Sequence, residues 1–261
     1  VVGRWSLARL LRSLIIIYAI VCLYVWFTAD RKIFLPPSPS YERSSDLLTI
    51  TTHNGHKLAA VYLPNTNAAY TLIYSHGNAE DLGQIRPVLE LLRQAGASVV
   101  GYDYSGYGLS EGRPSEWQSY QDIRAVYRHL VEELDIPPAQ IVVHGRSVGG
   151  GPSLYLAAQE PIAGLMLEST FISAFRVVLP FPLFPFDKFP NRDRIQQVNC
   201  PVLILHGEAD RTIPVWHGQA LYEQASQPKQ AVWITDATHN DLVWVAGDRY
   251  GHTVRSFLDS L

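Results

Sequence analysis

The sequence predicts an α/β fold: a mostly parallel central sheet with helices on both faces, preceded by an N-terminal transmembrane helix. Three observations carry that expectation. From residue 46 onward, short apolar β-branched runs alternate with segments whose apolar residues recur at helical spacing, which implies right-handed crossovers and a parallel sheet covered on both sides. A glycine-rich turn, VVHGRSVGGG at 142–151, follows one of those runs directly. At the amino end, SLIIIYAIVCLYVWFTA (13–29) carries no charge.

As a helix, that uncharged segment is about 26 Å long at 1.5 Å per residue, close to the thickness of a bilayer core. Arg4, Arg9 and Arg12 precede it, and Asp30, Arg31 and Lys32 follow with less net positive charge. The positive-inside rule then predicts a single-pass membrane protein with a cytoplasmic amino terminus and its main domain on the extracytoplasmic side. A cleaved signal peptide is the competing reading, but Phe27-Thr28-Ala29 puts a bulky residue where small-x-small is needed. Tyr24 and Trp26 suit a membrane interface. The expected plan is an anchor at 1–34, a Pro-rich linker at 35–45 (LPPSPS at its start), and one domain at 46–261 with a short apolar insert at 171–191.

Within the domain, LLTITTHNGHKLAAVYL is a hairpin turning at Asn54-Gly55. The same signal makes His53 and His56 turn residues rather than a metal pair, and no metal site is expected. TLIYSHGN is a buried strand running into a loop, and PVLELLRQAG is a helix with Gly96 placed to end it. SVVGYDYSGYG is a strand and a glycine-shaped loop, with Asp103 and Tyr104 expected to anchor that loop by hydrogen bonds. Pro114-Ser115-Glu116 opens a helix in which Ile123, Val126, Tyr127, Leu130, Val131 and Leu134 recur at helical spacing. IVVHG, GLMLEST, PVLILHG and AVWITD are further strands. FRVVLPFPLFPFDKFPN (175–191) is too rich in proline for regular structure.

Composition excludes some classes. The formal net charge is −3 and no basic run follows residue 12, so no nucleic-acid partner is expected. Cys22 and Cys200 are far apart, one of them inside the apolar segment, which argues against a structural disulfide.

The turn at 145–149 reads G-x-S-x-G between a strand (IVVHG) and a helix (SLYLAAQ), the context of a nucleophile elbow. There Ser147 is held in a strained conformation with its hydroxyl projecting, and Gly145 and Gly149 relieve crowding. Pro152, early in the following helix, predicts a local kink. A serine hydroxyl needs a base, and the base needs an acid to fix its tautomer. Asp210 follows the strand PVLILHG and His239 follows AVWITD, in the chain order serine, acid, histidine. Glu168, at the end of GLMLE, is the rival acid. His252 falls in the terminal helix, and His76, His144 and His206 read as hydrogen-bonded residues within or near strand ends. The Val148 amide is expected to form an oxyanion hole with the amide of Asn78, or else of Ala79, after the strand TLIYS.

With SHGNAEDLGQ, YDYSGYGLSEGRPSE, GRSVGG, FPN at 189–191, PVLILHGEAD and HND at 239–241, the chain resembles the α/β-hydrolases, and more narrowly the membrane-associated serine hydrolases that remove palmitate from protein cysteines. The resemblance implies an α/β-hydrolase fold and a thioesterase using Ser147, Asp210 and His239. Depalmitoylases of this group in animals carry a lipidated cysteine cluster at the amino end, where this chain has its transmembrane-like segment.

The expected partners are an acylated protein or lipid and the bilayer, with Phe181, Leu183, Phe184 and Phe186 of the insert against the acyl group or packed as a lid. No cofactor is expected, because proton transfer activates the hydroxyl. The alternatives are a serine peptidase or lysophospholipase on the same fold, or a noncatalytic membrane-bound binding protein.

Overall fold

The computed structural model describes residues 7–261; Arg4 and the first residues of the expected anchor lie outside them. The first element, α1 (Leu7–Ile33), contains the whole uncharged segment. No residue of its most apolar stretch is buried, and it is the one helix among the described residues long and apolar enough to cross a membrane.

Eight strands make a single sheet: β1 (Leu47–Thr51), β2 (Lys57–Leu63), β3 (Thr71–Ser75), β4 (Ser98–Tyr102), β5 (Ile141–Arg146), β6 (Gly164–Glu168), β7 (Val202–Gly207) and β8 (Lys229–Ile234). Their spatial order is β1-β2-β4-β3-β5-β6-β7-β8. β1 and β2 form the expected antiparallel hairpin, β2 also runs antiparallel to β4, and the remaining pairs are parallel. After β3 the chain adds β4 on one side and then returns to add β5 on the other. That reversal opens a crevice at the carboxyl ends of β3 and β5, where open α/β sheets bind ligands.

Alternation along each strand divides the core in two. Ile73, Val143, Leu165, Leu167 and Ile204 face helices α3 (Glu116–Arg128), α4 (Gly150–Gln159) and α7 (Trp216–Gln224). Leu72, Val142, Met166, Leu203 and Leu205 face α2 (Leu82–Gln94), α8 (Leu242–Ala246) and α9 (Asp248–Asp259). Contrary to expectation, the insert is not irregular throughout: its first residues form α5 (Ala174–Val178) because its prolines begin only at Pro180, and α6 (Asn191–Arg194) follows the last of them, Pro190.

Two local expectations are revised. α2 begins five residues before Pro87, because Asp81 and Gln84 form a reciprocal capping box; Pro87 is carried inside it. The pattern ending at Leu134 is α-helical only to Arg128 and continues as a π turn over His129–Glu133. Pro152 falls in the first turn of α4, which continues directly from a 3-10 turn at Ser147–Gly149.

The segment expected as a linker is docked along the domain. Phe34 is buried, the Leu35 amide donates to Asn78 Oδ1 (2.9 Å), the Ser40 amide donates to Asp81 (2.6 Å), and the Tyr41 hydroxyl bonds Asp103. These carboxylates also hold the amino end of α2, since Asp103 accepts from the Leu82 amide at 2.9 Å.

Candidate active site

β5 delivers Ser147 to the sheet's carboxyl edge. Its φ of 53° is left-handed, a strained state for a residue with a side chain. The turn tolerates this because a Cβ on Gly149 would strike the Ser75 carbonyl, and one on Gly145 the Gly149 carbonyl; glycine is required at both. The Thr170 hydroxyl donates to the Ser147 carbonyl at 2.6 Å and pins the turn from the end of β6.

Two other strand ends bring the partners. His239, in the loop after β8, places Nε2 3.0 Å from Ser147 Oγ, and its Nδ1 is 2.7 Å from Asp210 Oδ2 in the loop after β7. The other Asp210 oxygen accepts the Thr212 and Ile213 amides at 2.9 and 2.8 Å. Burial pushes the Asp210 carboxyl up, but the hydrogen bond and charge of His239, with the Ile213 amide, outweigh it and hold the group below its ordinary value. This carboxylate is therefore ionised at neutral pH.

Glu168, the rival acid, is engaged elsewhere. It accepts the Tyr250 hydroxyl at 2.7 Å and lies 3.5 Å from Arg146 Nε and 3.3 Å from His144 Nε2. Of the remaining strand-end histidines, His76 bonds the Gly77 carbonyl and His206 the Ile213 carbonyl, each at 2.7 Å. His144 differs from expectation: neither ring nitrogen has a hydrogen bond among the described residues, and the ring sits edge-on to Tyr74. Asp103 and Tyr104 anchor their loop as expected, Tyr104 by donating to the His76 carbonyl at 2.7 Å.

Of the predicted oxyanion donors, Val148 directly follows Ser147, and Asn78 and Ala79 follow β3. The Ala79 amide is taken by Asn78 Oδ1 at 3.0 Å, which removes it from the set. The Asn78 amide has no acceptor among the described residues.

Ser147 and His239 lie at the polar end of a cavity of about 550 Å³ that also takes in Asn78 and Val148, a volume typical of small-molecule sites. The rest of the lining is largely apolar. Phe184 alone of the four predicted residues lines it, together with Phe175, Val177, Val178 and Leu179 from the insert's first half. Phe181 and Leu183 are exposed, and Phe186 instead meets Trp26 edge-on at 5.0 Å. The opposite wall is α1: Val25, Thr28, Ala29, Lys32 and Ile33. Their spacing of three and four residues marks one helical face, the signal by which this wall is legible in sequence.

Arg146, inside the elbow, is the second unanticipated residue. Its buried guanidinium pairs with Glu80 and donates to the His239 carbonyl (3.0 Å) and Asn240 Oδ1 (3.3 Å). Glu80 in turn accepts the Gly77 amide at 2.9 Å. One cation thus ties the histidine loop to the loop that carries Asn78.

A family model described as "Serine aminopeptidase, S33" matches residues 66–185. The human α/β hydrolase domain-containing protein 17B is 35% identical over 245 residues, 82% of this chain and 85% of its own. The Caenorhabditis elegans α/β hydrolase domain-containing protein aho-3 is 34% identical, covering 87% and 76%. Among solved structures, the Pyrococcus furiosus esterase Pf2001 superposes with a TM-score of 0.73 at 20% identity, covering 87% of this chain and 99% of its own, which bears on fold alone.

Proposed function

This chain belongs to the α/β-hydrolase domain-containing family, and we propose that it is a membrane-tethered serine hydrolase cleaving acyl thioesters or esters of a protein or lipid through an acyl-enzyme at Ser147. The observation that carries the reading is the run of short contacts from Ser147 Oγ through His239 to Asp210 at the polar end of an apolar cavity.

In the proposed mechanism Asp210 accepts from Nδ1–H of His239 and leaves Nε2 free to take the serine proton. Oγ attacks the acyl carbonyl, and the oxyanion is held by the Asn78 and Val148 amides. His239 then protonates the departing thiol or alcohol. Water, deprotonated by the same imidazole, releases the fatty acid and restores Ser147. The tether is α1, and Arg4, Arg9 and Arg12, ahead of its uncharged segment, favour a cytoplasmic amino terminus with the domain on the other side.

A peptidase reading draws on the name of the matching family model. Capture of a peptide's amino terminus calls for an acceptor of its positive charge, and no carboxylate lines the cavity among the described residues. Apolar walls and two cations, Lys32 and Arg146, suit an acyl carrier better. The test is labelling by a fluorophosphonate, expected on the wild type and absent from Ser147→Ala, followed by turnover of palmitoyl thioester, lysolipid and amide substrates. Preference for the amide, or full activity in Ser147→Ala, would overturn the reading.

A further inference from the structure

We infer that α1 is a wall of the acyl site as well as an anchor, and that the acyl chain runs from Ser147 between the last turns of α1 and the insert. The inference rests on the acyl-hydrolase reading and names what sets its chain-length specificity. On one side the cavity is walled by Val25, Thr28, Ala29 and Ile33; on the other by Phe175, Val177, Val178 and Leu179. Ser147 and His239 mark its reacting end.

The helix is seated firmly enough to serve as a wall. Trp26 packs on Phe186, Tyr18 donates to the Leu183 carbonyl at 2.8 Å, and Asp30 pairs with Lys188 at 3.1 Å and accepts the Glu116 amide at 3.2 Å. The Asn78 side chain donates to the Ile33 carbonyl at 2.6 Å, which fixes the end of α1 to the loop proposed to hold the oxyanion. Toward its amino end the same helix is exposed and apolar over the length of a bilayer core. A membrane-held acyl chain therefore meets, at the end of this one helix, the apolar gap leading to the serine, and need not cross water to reach it. Ala29 is small, nearly fully buried and on the cavity face, so a larger side chain there takes room from the acyl chain.

The experiment uses the full chain in nanodiscs. In Ala29→Trp, the ratio of palmitoyl to butyryl ester turnover is expected to fall at least tenfold from the wild-type ratio; an unchanged ratio overturns the inference. Independently of any variant, a palmitoyl-length fluorophosphonate with a terminal diazirine is trapped on wild-type Ser147, photolysed and mapped by mass spectrometry. Adducts within 25–33 together with 174–179 are expected. Adducts confined elsewhere overturn the inference while leaving the hydrolase intact, whereas a wild type that neither labels nor turns over removes the acyl-hydrolase reading and this inference with it.

Discussion

In the proposed mechanism Asp210 acts through a tautomer. Its carboxylate accepts from His239 on one oxygen and from two backbone amides on the other, so replacing it with asparagine changes the proton pattern while preserving the shape. Asp210→Asn is expected to lower kcat by about three to four orders of magnitude with KM little changed, read by steady-state kinetics. Arg146 is a positioning residue, and its loss has two consequences. Glu80 and Glu168 are left without their cation, a loss of about 3–5 kcal/mol when one partner of a buried pair is removed, and the His239 carbonyl loses its donor. Arg146→Met should therefore unfold at markedly lower urea and lower kcat more than it raises KM. That Ser147, Asp210 and His239 come together was legible because each depends on a local signal, a glycine-flanked turn or a loop just past a strand. The role of Arg146 was not, because its partners at positions 80, 168 and 239 meet only in the folded sheet.

Elements were legible where periodicity is strong, as in the β1–β2 hairpin and the buried parallel strands. The docked strap at 35–41 was not, since its prolines announce extended chain without saying what the chain lies against; Asn78, Asp81 and Asp103 supply that. α7 carries a pH-dependent contribution. Its His217 is fully buried, and burial, assisted by the charges of His206 and Arg176, pushes the imidazole down to about 4. Nδ1 accepts the Ile172 amide at 3.3 Å, at the start of the insert. Between the ordinary histidine value and about 4, the unfolded chain takes up a proton that the folded one refuses, so stability is lost as pH falls through that window. At pH 5 the loss is about 2 kcal/mol, at about 1.4 kcal/mol per unit. Urea unfolding at pH 7 and pH 5 should show wild type losing more than His217→Gln by about that amount.

At the scale of the whole molecule, the sheet's switch point, the insert and the membrane helix converge on one end of the domain. Val178, which lines the cavity, Phe181 and Leu183 of the same insert and Leu35 of the strap that follows α1 are exposed apolar side chains, carried by the two segments next to the proposed span. With α1 as the proposed anchor the domain stays close to the bilayer, so these residues would decide how much of the time the cavity rests on lipid rather than whether the protein stays bound. Full burial of a leucine or phenylalanine is worth about 1.5–3 kcal/mol, and partial immersion of two such side chains gives about 2 kcal/mol together. Replacing both with aspartate in Phe181→Asp/Leu183→Asp removes that gain and adds charge at the lipid surface. Apparent KM for a palmitoyl thioester held in vesicles is therefore expected to rise at least tenfold, while the melting temperature stays close to that of the wild type because neither side chain is buried in the fold. Unchanged KM in vesicles would mean that the mouth does not rest on the bilayer, and that the acyl chain reaches Ser147 through water.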